Sequence, residues 1–148
     1  MPRTSIASPQ ESVEIDRKRI REIVQTVLEC EGVSDWEISI AFVDNPTIHQ
    51  LNMRYLQHDE PTDILTFPLS DSGAKKLAGE LVIGAEVALD EAKDRGHDVS
   101  VELSLYVIHG LLHLCGEDDK TPKAAARMRQ RERHYLKLLE LPDIADSE

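Results

Sequence analysis

Apolar residues recur along this chain in two rhythms, and the switches between them mark the elements. From Asp16, placed as a cap, Ile20, Ile23, Val24, Val27 and Leu28 follow the three-and-four spacing of a helix face up to Gly32. Trp36, Ile38, Ile40 and Phe42 then alternate with polar or small residues, which predicts a half-buried strand. Asn45 and Pro46 open a second helix with Ile48, Leu51 and Tyr55 on one side. Residues 58–68, HDEPTDILTFP, read as a turn and a short apolar strand, and residues 80–83 as another. A helix follows from Gly84 to Gly96.

Ser100 can cap a third long helix, carrying Leu103, Leu105, Tyr106, Val107, Ile108, Leu111, Leu112 and Leu114. It is apolar on nearly every side, so it is expected at the centre of the core. Gly116 stops it, and a basic final helix runs from about Pro122 to Leu139. At the other end, residues 12–15 are compatible with a short strand, and residues 1–11 read as a disordered, frayed tail. Residues 12–148 then form a single domain. Strands mixed with helices without strict βαβ regularity predict an α+β fold, a small sheet covered mainly on one side by helices.

Composition narrows the function. With 148 residues, 41% apolar and 30% charged, the chain fits one folded domain. No apolar run is long enough to span a bilayer, and the first ten residues lack the apolar core of a secretion signal, so a cytoplasmic location is expected. Two cysteines, Cys30 and Cys115, without CxxC spacing, argue against a disulfide framework or redox pair. A net charge of −11 excludes a general nucleic-acid coat, DNA included. Yet the segment from Lys120 to Lys137 holds Lys123, Arg127, Arg129, Arg131 and Arg133 against the single acid Glu132. It is either a solvated helix face or a local contact for an anionic partner.

The stretch HGLLHLCGEDD, residues 109–119, carries the chemistry. Residues four apart share a helix face, so the imidazoles of His109 and His113 can converge on one point. Gly116 can take the left-handed conformation that reverses the chain and brings back a third ligand. Asp119 is placed for that role, with Glu117 and Asp118 as competitors for it or as groups that orient an imidazole. Two histidines and one carboxylate leave a fourth position open, as catalytic zinc sites do. Left unpaired, the two imidazoles would each cost about 1–3 kcal/mol inside so apolar a helix. Cys115 reads as a small apolar filler. Metalloproteases of the HExxH type need a Glu after the first histidine, where this chain has Gly110. A substrate with its own nucleophile, such as an RNA 2′-hydroxyl, fits better.

These residues resemble the HGxLHLxGYDH signature of the bacterial YbeY family of metal-dependent endoribonucleases. LNMRYLQHDEPTDILTFP is similar to that family's LNxxYRxxDxPTDVLSFP stretch, and GELVIG to its GDIVI strand. The resemblance implies a four-stranded mixed sheet, with a zinc or another divalent ion at the end of the central helix, held by His109, His113 and Asp119. It further implies cleavage of single-stranded RNA in maturation of the 3′ end of 16S ribosomal RNA and in ribosome quality control. The implied partners are ribosomal RNA, the small ribosomal subunit and an assembly GTPase, with no membrane.

Two positions depart from the signature. Asp119 stands at the family's third histidine, and Leu56 at its arginine. Arg54 is on nearly the opposite helix side from position 56, whereas His58 could swing into the gap as a substrate-binding group. Arg127, in the basic segment, is a second candidate for substrate contact. Thr62 and Asp63 read as turn-forming residues. No general base can be named. A small zinc metalloprotease and a non-catalytic ribosome-assembly factor with a structural metal are the rival expectations.

Overall fold

The computed structural model describes residues 1–55, 64–71 and 74–145. Four strands and five helices occur among them, in the order β1 (Arg3–Ala7), α1 (Arg17–Cys30), β2 (Trp36–Val43), α2 (Asn45–Tyr55), β3 (Ile64–Pro68), β4 (Leu77–Gly84), α3 (Ala85–Arg95), α4 (Val99–Leu114) and α5 (Pro122–Leu138). The sheet order is β1-β2-β4-β3, with β1 and β4 parallel to β2 and β3 antiparallel to β4. This is the mixed α+β sheet expected.

Side-chain alternation divides the sheet into two faces. Ile38, Ile40 and Phe42 of β2 and Leu81 and Ile83 of β4 join the main core with α1 and α4. On the other face, Val43, Leu65 and Val82 pack with Ile48 and Leu51 of α2. The five apolar residues read as the inner face of α1 are all buried, and the Asp16 carboxylate accepts from the Arg19 N–H as its cap.

Three boundaries differ from the sequence reading. The first strand is not at residues 12–15 but at Arg3–Ala7, inside the expected tail, where it pairs in register with residues 37–41 of β2. Trp36 Nε1 donates to Thr4 Oγ1 at 3.3 Å, tying that edge down. Asp98 rather than Ser100 caps α4, its carboxylate accepting from the Ser100 N–H at 2.8 Å. β4 begins at Leu77, three residues before residue 80, because Gly79 does not break the strand.

Gly79 gives room instead. A Cβ there would lie 2.6 Å from Leu114 Cδ2, and one on Gly110 would lie 2.7 Å from Leu81 Cδ2. Helix residues four apart thus mesh with strand residues two apart: Gly110 over Leu81, Leu114 over Gly79. This fixes the rotation of α4 about its own axis. With 110 and 114 pressed on the sheet, the neighbouring positions 109 and 113 turn away from it.

Candidate metal centre

His109 and His113 are the partly exposed exceptions in a helix whose other residues from Val101 to Leu114 are all buried. Their Nε2 atoms lie 3.0 Å apart. Gly116, at φ 106°, reverses the chain: its N–H bonds to the His113 carbonyl and that of Glu117 to the Leu112 carbonyl, closing the helix with a Schellman turn. The turn carries Asp119 back, so that its Oδ2 is 3.7 Å from His109 Nε2 and its Oδ1 is 3.9 Å from His113 Nε2. One ligand atom from each of the three residues lies within 4.8 Å of the others.

Of the three acids in the turn, Asp119 is the one brought to the imidazoles. Asp118 accepts from the Lys120 N–H at 3.1 Å, and Glu117 pairs with Arg127 at 3.2 Å.

Glu132, which sequence reasoning passed over as one acid among arginines, lies directly behind the site. It is 1% exposed, and its Oε2 accepts from His109 Nδ1 at 2.5 Å. Arg129 grips the same carboxylate with both Nε (2.7 Å) and Nη2 (2.8 Å). Burial alone would push the Glu132 carboxyl up, but the hydrogen bonds and charges of His109 and Arg129 outweigh it and hold it below its ordinary value. An ionised Glu132 keeps the proton of His109 on Nδ1 and leaves Nε2 as a lone pair. Burial and the nearness of His109 push the His113 imidazole below its ordinary value, against the opposing pull of Asp119. The donor set therefore fits a divalent cation: two imidazole nitrogens and a carboxylate oxygen converge, and His109 Nε2 can receive only a proton or a metal.

A signal for Glu132 does exist in the sequence. Met128, Glu132, Tyr135 and Leu136 are the buried residues of α5, spaced as one helical stripe. A carboxylate within such a stripe must find partners.

The centre opens on a cavity of about 560 Å³, walled by α3, α4 and α5, with His109, Asp119, Arg129 and Glu132 at one end. Arg127 is not in its wall; the side chain is 70% exposed and engaged by Glu117. The other arginines of α5 are also paired, Arg131 with Glu31 and Arg133 with Asp143. The basic run thus serves largely to fasten α5 to the rest of the chain. Leu56, His58, Thr62 and Asp63 lie outside the described residues.

An α+β fold that brings two histidines and a carboxylate together at the end of its buried helix, beside a cleft, carries a donor set that could hold a metal ion. The model of the family described as Endoribonuclease YbeY matches residues 5–140. This chain belongs to that family. It is 38% identical over 141 residues to the endoribonuclease YbeY of Carboxydothermus hydrogenoformans, covering 93% of this chain and 98% of the relative. It is 34% identical over 139 residues to that of Salinibacter ruber, covering 89% and 88%. Among solved structures, TM1509 from Thermotoga maritima shares the fold at a TM-score of 0.64 and 22% identity, over 96% of this chain and 98% of that one. No described helix is long and apolar enough to cross a membrane.

Proposed function

We propose that this chain is a zinc-dependent endoribonuclease specific for single-stranded RNA. In this reading it is one cytoplasmic domain that matures the 3′ end of 16S ribosomal RNA and acts in ribosome quality control, with the small ribosomal subunit and an assembly GTPase as partners. The observation that carries the reading is the convergence of His109, His113 and Asp119 on the wall of an open cleft. The family membership and the names of its relatives support RNA as the substrate.

When bound, the ion supplies Lewis acidity toward a phosphate oxygen and an attacking oxygen. The chain's own groups do the rest. Glu132 holds His109 in the tautomer whose Nε2 faces the centre. Arg129, fixed by the same carboxylate and lining the cleft, places a guanidinium beside the position a phosphate would take. His58 and Arg127 complete the proposed substrate contacts. The nucleophile is a water or the neighbouring 2′-hydroxyl.

Gly110 disfavours the protease alternative. Its position faces Leu81 and leaves no room for the glutamate such a mechanism needs. Labelled single-stranded RNA and casein, each with and without a chelator, test the assignment. Chelator-sensitive RNA cleavage is expected; casein cleavage would favour the protease, and inertness toward both an assembly factor. Substrates with 2′-deoxy sugars separate the two nucleophiles.

A further inference from the structure

The cleft is larger than a metal and one phosphate require, and its far end differs in character from the metal end. That far wall lies on α3 and the first turns of α4, where Glu102 precedes His109 by seven residues, roughly 10 Å along the helix. Two acids and one arginine meet the cavity there: Glu91, Glu102 and Arg95. Glu102, 1% exposed, is saturated by Arg95 at 3.3 Å and His97 at 2.5 Å, while Arg95 also donates to the Ile144 carbonyl. Glu91 is different. It is exposed, and it has no hydrogen bond or ion pair among the described residues. Val87, one turn before it on α3, and Leu105 on α4 add apolar side chains to the cavity lining.

Charge decides what such a space accepts. With Arg95 matched by Glu102, the carboxylate of Glu91 leaves the far end net negative, which repels a phosphate and favours a flat group with an apolar face and a donor edge. An unstacked nucleobase is such a group. Guanine alone among the four common bases presents two adjacent donors, N1–H and the N2 amine, that match both oxygens of one carboxylate. Cytosine and adenine offer an amine beside an acceptor, and uracil one donor between two carbonyls.

We propose that the far end of the cleft is a guanine subsite, in which Glu91 receives N1–H and N2–H of a base flanking the scissile phosphate while Val87 and Leu105 pack against its rings. This rests on the reading of the chain as an RNA nuclease. It adds a specificity determinant to the proposed site.

The test uses the zinc-loaded full chain and short single-stranded RNAs that carry one guanosine in a uridine tract, moved one position at a time along the strand. Each has a twin with inosine, which lacks the N2 amine. At one position the wild type should favour guanosine over inosine by about tenfold in kcat/KM, the loss of one hydrogen bond to a charged group. In Glu91→Ala and Glu91→Gln the ratio should approach one. Binding of the same RNAs, followed by fluorescence anisotropy, is the second readout. A wild type that cleaves both twins equally at every position, or a Glu91→Ala protein with an unaltered ratio, overturns the subsite and leaves the nuclease reading intact. Absence of all cleavage with the guanosine preference kept in binding, and lost in Glu91→Ala, overturns the nuclease reading and upholds the subsite. Absence of the preference in both readouts overturns it.

Discussion

Replacing Glu132 by glutamine keeps the volume of the side chain and removes its charge, so it isolates what the carboxylate does for His109. In the native arrangement three donors converge on two oxygens: His109 Nδ1–H at 2.5 Å and two N–H groups of Arg129 at 2.7 and 2.8 Å. An amide has one oxygen and one NH2, and cannot satisfy both partners. If its NH2 faces His109, the imidazole must accept at Nδ1 and carry its proton on Nε2, aimed at the position a metal would take. If its oxygen faces His109, the NH2 confronts the guanidinium of Arg129.

Either way the imidazole loses a charged acceptor behind it, an interaction worth about 1.5–3 kcal/mol. Loss of such outer contacts weakens metal binding by about 10–100-fold, which is about 1.4–2.8 kcal/mol. Competition with a chromophoric chelator near neutral pH measures it, with circular dichroism as the control for folding. The expected result is a rise in the zinc Kd within that range, partly reversed in Glu132→Asp. A Glu132→Gln protein that melts earlier but binds zinc with unchanged Kd would refute the reasoning, because the carboxylate would then serve packing alone.

Asp119→Ala removes a proposed ligand rather than its support, so it should fall below stoichiometric zinc after dialysis; full retention by elemental analysis would strike Asp119 from the ligand set. Gly110→Glu restores the HExxH pattern but drives a side chain into Leu81, and should cost about 1–3 kcal/mol from overpacking. Scanning calorimetry reads this as a Tm lower by about 2–4 °C for each kcal/mol at this chain length; a stable variant that digests casein would contradict the packing argument. Burial pushes the Cys115 thiol up to about 11, with Glu31 and Glu117 adding to it, whereas Cys30 is exposed. Iodoacetamide under mildly alkaline conditions should therefore alkylate Cys30 well before Cys115, as mass spectrometry of timed samples would show; equal rates would contradict it. Lys120, Lys123 and Lys137 are the cations of the basic segment without an acidic partner among the described residues. These lysines alone, about three phosphate contacts, would give a slope of log K against log salt of about −2, and with the proposed contacts of Arg127 and Arg129 about −3.5 is expected; a slope near −2 would remove the two arginines from the substrate contacts.

What the sequence disclosed depended on how local the cause was. The inner face of α1, the caps at Asp16 and the reversal at Gly116 follow from neighbouring residues, and all three stand in the structure. The pair His109 and His113 was legible for the same reason, being one helical turn apart. β1 was not, because RTSIA holds only short, half-exposed alternation and owes its place to pairing with residues 37–41. Arg131 looked available because its partner is remote: Glu31 lies 100 residues before it. Glu132 was hidden by its neighbours, since an acid in a run of arginines resembles a surface ion pair unless its place in the buried stripe is counted.

Packing and site are one problem in this fold. A helix apolar on nearly every side has no intrinsic reason to present one face rather than another to a cleft. The two glycines supply the reason, one on each partner: Gly110 lets α4 settle on Leu81, and Gly79 lets β4 receive Leu114. That contact points His109 and His113 toward α5, where Glu132 is buried at the height of His109. Arg129 in turn keeps Glu132 charged despite its burial. Each step depends on the one before. A bulky residue at position 79 or 110 should therefore loosen the candidate metal centre as well as the core, although neither glycine supplies a ligand atom.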